Sequence, residues 1–369
     1  MKALITGGGT GGHIYPALAI AGELKKRGWD ILYLGSQDRM EAEIVPEAGY
    51  QYRGLTLKAL PRKLSLNLVK SLFLNFYAFL KALKIVAQSK ADIVIGTGGF
   101  AAGPVVLAGV LLRKKTIIHE QNAYPGLTNK ILSILVDKIC LNFTGAAKYL
   151  KVSADKIVAT GNPVRPEITK ISYQKSCQIL NLNPDYKTIL VTGGSLGAEI
   201  INQNLTKLYQ YVLAEDKLQI IHLTGKKNYQ KVLEFLIEQD IELDSEKIHV
   251  IAYLKEMGAA LTAADLIISR AGATALAEIT ISALPAILIP FAAAAENHQL
   301  YNAAALEKVG AALVIEEADL TAELLAEQAK KILNSPEKAA LMSEASAALA
   351  QRDSLAKIIK LIEKESAGD

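Results

Sequence analysis

The sequence predicts an α/β protein built from two Rossmann-like domains with parallel sheets, and three observations predict it. Short apolar runs bounded by glycine alternate with helical segments along most of the chain. A glycine-rich strand-to-helix turn, Gly7-Gly8-Gly9-Thr10-Gly11-Gly12-His13, opens the chain, and Thr192-Gly193-Gly194-Ser195-Leu196-Gly197-Ala198 repeats it in outline nearly half a chain later. Between the copies, Gly161-Asn162-Pro163-Val164-Arg165-Pro166 holds two prolines and a glycine, the composition of a linker or hinge. The expected domains are 1–163 and 164–345, facing one another across a cleft. Residues 346–369 are long enough to cross back onto the first domain.

Composition narrows the function classes. A chain of 369 residues is long for one core. At 51% hydrophobic and 21% charged residues it is a folding chain, not a disordered one. A formal charge of +4 is too small to imply nucleic acid, so no such partner is expected. Cys140 and Cys177 are the only cysteines, which supports neither a disulfide framework nor a cysteine metal site and makes a reducing cytoplasm the default. Met1 leads directly into the first strand, with no secretory signal pattern, and no run of ~20 apolar residues offers a membrane span.

The elements follow in order. Lys2 to Thr6 reads as a buried strand, and Ile14 to Leu24 as a helix with Pro16 in its first turn, where a missing N–H costs nothing. Strand, glycine turn and helix start together make an anion cradle of backbone N–H groups. A plain tight turn would use the same glycines. Thr10 and His13 are more than a turn needs, since a hydroxyl and an imidazole can hold phosphate or take a proton near neutral pH. Asp30 to Gly35 is the second strand, Met40 to Ala48 a short helix, and Tyr50 to Leu55 strand-like. Lys58 to Lys90 carries a helix rich in large apolar residues with Lys70, Lys81 and Lys84 beside them. It reads either as a core helix with its lysines in water or as a helix lying on an anionic membrane. Ala91 to Gly96 is a strand opening a second glycine turn at Gly98, Gly99 and Gly103. Thr116 to Ile118 is a strand ending in His119-Glu120-Gln121-Asn122, four polar residues at the edge where open sheets place ligands, although they could simply cap the helix from Leu127.

In the second half, Thr188 to Thr192, Gln219 to Leu223, Ile248 to Tyr253, Asp265 to Ser269 and Pro285 to Pro290 read as strands. Gly272-Ala273-Thr274 makes a third helix start, and Glu278 follows Thr274 at i,i+4 on the same helix face. A carboxylate there could hold both hydroxyls of a ribose; as a bare helix glutamate it would sit on the surface. Phe291 to Glu296 reads as a loop, with a helix from Leu300. Thr321 to Asn334 and Pro336 to Gly368 read as helical.

Gly7 to His13, Asp38 to Glu41, Gly98 to Pro104, His119 to Asn122, Gly161 to Arg165, Gly193 to Ala198, Arg270 to Glu278 and Asn297 to Gln299 run from end to end in one order. Together they resemble the MurG family of bacterial GT-B glycosyltransferases, which add N-acetylglucosamine to lipid I. The resemblance implies a GT-B fold and an inverting transfer from UDP-N-acetylglucosamine. Donor contacts would come from Ser195, Leu254, Ala273, Thr274, Glu278 and Gln299, with Thr10, Gly11, Gly12, Asn122 and Arg165 closing over them. Gly8, Gly9, Gly98 and Gly99 would hold the pyrophosphate of lipid I, and Leu72, Phe73 and Phe76 would form a face on anionic phospholipid. The enzyme would sit peripherally on the cytoplasmic face of the inner membrane. No Asp-x-Asp motif is visible, and the family implies no metal and no cofactor. The chain departs from the family at Leu196, where glutamine is common, and at Phe100 and Ala102, where tyrosine and serine are common.

The reaction needs a base for the acceptor hydroxyl. His13 is the candidate, since a histidine pKa suits the task and a helix N-terminus disfavours the protonated ring. Positioning phosphate or acceptor is the alternative role for His13, and His119 is the second candidate base. Three other functions fit parts of the chain: a diacylglycerol glycosyltransferase, a non-catalytic UDP-sugar-binding module and a nicotinamide-binding protein. The last expects an acid at the end of the second strand, but Leu34-Gly35-Ser36-Gln37 stands there.

Overall fold

The computed structural model describes residues 1–58, 66–164, 168, 171–194, 197–241, 243 and 246–367, with backbone alone for 66–70 and 72. Arg165, Ser195, Leu196, Gly368 and the side chain of Leu72 therefore lie outside the described residues. The chain divides into two compact units, Met1–Arg165 with Gln351–Asp369, and Pro166–Ala350.

In the first unit the strands are β1 (Lys2–Thr6), β2 (Asp30–Ser36), β3 (Gln51–Leu55), β4 (Ile93–Gly96), β5 (Lys115–Glu120), β6 (Lys138–Leu141) and β7 (Ile157–Ala159). Between them run α1 (Gly11–Lys26), α2 (Glu41–Glu47), α3 (Leu66–Ser89), α4 (Ala102–Leu111) and α5 (Leu127–Ser133). Among the described residues they form a seven-stranded sheet in the order β3-β2-β1-β4-β5-β6-β7, parallel throughout. Strands covered on both faces must be apolar along their length, and Leu4, Ile5, Ile93, Val94, Ile95, Ile117 and Ile118 are all buried.

The second unit holds α6 (Tyr173–Leu180), β8 (Lys187–Thr192), α7 (Glu199–Gln203), α8 (Thr206–Ala214), β9 (Leu218–Leu223), α9 (Tyr229–Glu238), β10 (Ile248–Ile251) and α10 (Met257–Ala263). It continues with β11 (Leu266–Ser269), α11 (Ala273–Ile281), β12 (Ala286–Leu288), α12 (His298–Glu307), β13 (Ala312–Val314), α13 (Ala322–Leu333) and α14 (Pro336–Ala348). Its sheet, among the described residues, has the order β10-β9-β8-β11-β12-β13 and is also parallel. Both orders reverse beside the first strand of their unit, between β1 and β4 and between β8 and β11. Open α/β sheets bind ligands outside the carboxyl ends of the strands at this reversal. The glycine turns lie at these two places.

Two expected helices differ. Helix α1 begins at Gly11, because the Thr10 carbonyl accepts from the N–H groups of both His13 and Ile14. Pro16 thus falls past the first turn, and His13 is the third residue of the helix. The segment expected to run as one helix from Pro336 is broken after Ala348. A new helix, α15 (Ser354–Ala367), belongs to the first unit. Ile358, Ile359 and Ile362 of α15 pack into one core cluster with Ile14, Ala17 and Ala21 of α1. Full burial of each such side chain is worth about 1.5–3 kcal/mol. Arg27 adds an ion pair to Glu363 at 3.0 Å on the exposed rim.

Candidate active site

In the first unit the two glycine turns interlock. The N–H of Gly8, after β1, donates to the carbonyl of Gly98, after β4. Gly9, Gly98 and Gly99 have φ of +86°, +98° and +78°, a region glycine enters without strain. A Cβ on Gly99 would collide with the carbonyl of Gly8, and one on Gly98 would stand 2.9 Å from Nδ1 of His13. The second turn is therefore bare of side chains where the histidine ring lies against it.

The ring of His13 is held by two acceptors. Its Nδ1 lies 3.0 Å from the carbonyl of Thr97 and 3.3 Å from Oε1 of Gln121. Gln121 is oriented in turn, since its Nε2 donates to the same Thr97 carbonyl at 2.7 Å. Two oxygens at Nδ1 require that nitrogen to carry the proton, so in the neutral ring Nε2 carries the lone pair. That tautomer is the one a base needs.

Glu41, to which sequence spacing assigns no role, is fully buried behind the first turn. Its carboxylate accepts from the N–H groups of Gly9 at 2.9 Å and Ser36 at 3.1 Å. A Cβ on Gly8 would collide with the same carboxylate. The Gly9 amide is thus committed within the protein. Arg39 lies at the rim of this turn, its guanidinium 5.9 Å from the ring centre of Phe100.

The His119 to Asn122 stretch divides between roles. Nε2 of His119 donates to the carbonyl of Gly161 at 2.8 Å, and burial pushes the imidazole pKa down to about 4. Glu120 accepts from Asn122 N–H, Asn122 Nδ2, Gly126 N–H and Asn129 Nδ2, all within 3.1 Å, which ties the loop to the start of α5. Burial raises its pKa, and these four hydrogen bonds oppose the rise. Gln121 serves His13.

In the second unit the glycine turn after β8 bends at Gly194 and Gly197, with φ of +83° and +76°. A Cβ on Gly197 would collide with the carbonyl of Thr224. That carbonyl is fixed from behind by a buried chain. Tyr209 Oη donates to His222 Nδ1 at 2.7 Å, His222 Nε2 donates to Asn202 Oδ1 at 3.0 Å, and Asn202 Nδ2 donates to Thr224 O at 3.2 Å. After β11 the chain turns at Gly272 into α11, and Nδ2 of Asn302 holds the turn through the Ala271 carbonyl at 3.1 Å. Ala273, Thr274 and Glu278 are all buried on α11, so Glu278 is not an ordinary surface glutamate. Leu254, which follows β10, is half-buried, as is Gln299 near the start of α12. Gln299 Oε1 accepts from the N–H of Phe291 at 3.0 Å.

Two family models match in chain order. The glycosyltransferase family 28 N-terminal domain matches residues 3–141, and the glycosyltransferase family 28 C-terminal domain matches 188–361. Among curated relatives, a UDP-N-acetylglucosamine–N-acetylmuramyl-(pentapeptide) pyrophosphoryl-undecaprenol N-acetylglucosamine transferase of Halothermothrix orenii is 45% identical over the whole of both chains. The chain belongs to glycosyltransferase family 28. A transferase of the same name from Desulfitobacterium hafniense is 48% identical over 98% of each chain. Among solved structures, MurG of Acinetobacter baumannii superposes with a TM-score of 0.75 at 28% identity, covering 98% of this chain and 99% of the other. The paired sheets are thus the GT-B fold of this family.

Proposed function

We infer that this family 28 glycosyltransferase moves N-acetylglucosamine from UDP-N-acetylglucosamine to the muramyl sugar of lipid I, giving lipid II. The full-length identity to transferases of that name carries the reading. The decisive experiment is turnover of UDP-N-acetylglucosamine with a short-chain lipid I analogue, run beside diacylglycerol as acceptor. Turnover with diacylglycerol alone would replace the acceptor. Binding without turnover on either would leave only a UDP-sugar-binding module.

The roles proposed for residues follow from the chemistry. The first unit takes the acceptor, its pyrophosphate beside the turns of Gly8, Gly9, Gly98 and Gly99, where the amides of Gly8 and Gly9, bonded to Gly98 O and Glu41, shape the cradle and do not donate to it, and Nε2 of His13 accepts the proton of the attacking hydroxyl. The second unit takes the donor. The turn at Gly193 and the N-terminus of α11 at Ala273 and Thr274 offset charge on the departing UDP. Leu254 meets the uracil, Glu278 the ribose and Gln299 the sugar. Thr10, Gly11, Gly12, Asn122, Ser195 and Arg165 keep the donor contacts that the family resemblance implies. A buried carboxylate that holds two hydroxyls is costly to lose. Glu278→Ala should therefore weaken UDP-N-acetylglucosamine binding by ~1–3 kcal/mol. Unchanged affinity of the folded variant in calorimetry would remove Glu278 from the site.

A polyprenyl-linked acceptor stays in its bilayer, so the enzyme must come to the surface. No helix among the described residues is long and apolar enough to cross a membrane. Helix α3 buries Ala78, Ala82 and Val86 and packs Phe79, Leu83 and Ile85 against the core, but other large residues stay out: Phe73 is 72% and Phe76 59% exposed, with Tyr77 and Leu80 exposed too. The membrane face expected from the sequence left out α5, where Leu127, Ile131, Ile134 and Leu135 are also exposed at the helix or just after it, as is Leu111 at the end of α4. Helices α3 and α5 both pack on α4, and all three carry exposed large apolar side chains. We assign these side chains to the membrane, with the exposed Lys84 of α3 meeting anionic phospholipid on the cytoplasmic side. Replacing Phe73 and Phe76 by serine should reduce binding to anionic liposomes at least several-fold while activity on a short-chain soluble acceptor survives. Unchanged liposome binding would return the face to solvent.

A further inference from the structure

Three segments of the second unit meet at Arg270, the residue after β11. Its Nη1 donates to the carbonyls of Ile289 at 3.0 Å and Pro290 at 3.4 Å. Its Nη2 pairs with Oε1 of Glu317 at 2.5 Å, and both side chains are largely buried, 11% and 17% exposed. The guanidinium lies 5.3 Å from the ring centre of Phe291. The second oxygen of Glu317 accepts from the N–H of Ala292 at 3.2 Å. One carboxylate beyond β13 thus fixes both an arginine at the end of β11 and the loop after β12.

That loop leads to Gln299 through a conformation the local sequence does not favour. Glu296 and Asn297 are consecutive left-handed residues, with φ of +54° and +55°, and neither is glycine. Such a pair persists only where surrounding contacts hold it. At the near end of the loop the Phe291 N–H takes one lone pair of Gln299 Oε1 and orients the amide, whose nitrogen has two N–H donors to offer a ligand.

We propose that Glu317 is a positioning residue for the sugar of the donor: through Arg270 and Ala292 it holds the loop after β12 so that Gln299 presents its amide N–H to a sugar oxygen. The proposal rests on the reading of the second unit as the UDP-N-acetylglucosamine site. It makes Glu317 matter to the sugar and not to the nucleotide, which a general loss of fold would not do.

Calorimetric titration of the full chain with UDP and with UDP-N-acetylglucosamine separates the two. Glu317→Ala should weaken the nucleotide sugar about tenfold and UDP by less than about twofold. Glu317→Gln, which keeps one of the two acceptor contacts, should restore most of the difference. Gln299→Glu, which can still accept from Phe291 but has no N–H to give, should reproduce the sugar-specific loss. Should Glu317→Ala fail to fold, Glu317→Gln must still show a smaller loss of the same kind. Equal loss of UDP and UDP-N-acetylglucosamine, or no loss of either, overturns the proposal. A wild-type chain that binds UDP but shows no affinity for the nucleotide sugar overturns the donor reading, and the role of Glu317 with it.

Discussion

Replacing His13 by alanine is expected to cut kcat by ~10²–10⁴ while donor affinity stays nearly unchanged, the signature of a lost general base. The expectation comes from the ring's surroundings. Thr97 O and Gln121 Oε1 both lie at Nδ1, which fixes the proton there and leaves Nε2 to receive another. When it does, the same two oxygens stabilise the cation that forms, as an orienting acceptor does behind any catalytic imidazole. Gly98 and Gly99 leave space at the ring that an alanine would fill. If kcat falls less than about tenfold and the pH–rate profile keeps its acidic limb, another group is the base. His119 is then a poor replacement. It is buried, its Nε2 is bonded to Gly161 O, and its pKa of about 4 makes it a weak base.

The strands that carry the glycine turns were legible because parallel strands buried on both faces are continuously apolar, and the turns at their carboxyl ends use glycine where φ is positive and a neighbouring backbone or ring comes close. Strand β13, three residues long and unbounded by glycine or proline on its far side, gave no such signal. The start of α1 was misread because Pro16 looks like a first-turn residue, whereas the bonds to Thr10 O set the helix start at Gly11. Turn composition made His13 and Glu278 visible as candidates. The burial of Glu278 was not visible, because helix periodicity alone does not say which face meets the sheet. Glu41 and Glu317 were illegible for a stronger reason. Glu41 reaches Gly9 across 32 residues, and Glu317 acts on an arginine four labelled elements back along the chain. No local spacing encodes an acid whose partners are brought to it only by the sheet order.

Acid should unfold the first unit earlier than its carboxylates alone would require. The cause is the buried imidazole of His119; the second unit holds a counterpart in His222. Burial holds His119 at a pKa of about 4 and His222 at about 3, against an ordinary value near 6.5. Each is neutral in the folded chain over a range where the unfolded chain binds a proton. The stability they contribute is fully present above pH 6.5 and is lost as pH falls, until the folded pKa is reached. For His119 alone, about 2 kcal/mol should disappear between pH 7 and pH 5, since protonating the unfolded ring gains about 1.4 kcal/mol per pH unit below 6.5. Glu120 works the other way, because burial raises its pKa and the folded chain holds its proton more tightly; a comparison of variants removes its contribution. The sole tryptophan, Trp29, is buried in the first unit's core beside Ile358 and Ile362, so its fluorescence reports unfolding of the unit that contains His119. Denaturant titrations followed at Trp29 should show wild-type stability falling from pH 7 to pH 5 by about 2 kcal/mol more than that of His119→Asn, whose amide can still donate to Gly161. Equal falls in the two chains would mean that the His119 imidazole titrates in the folded unit much as it does in the unfolded chain.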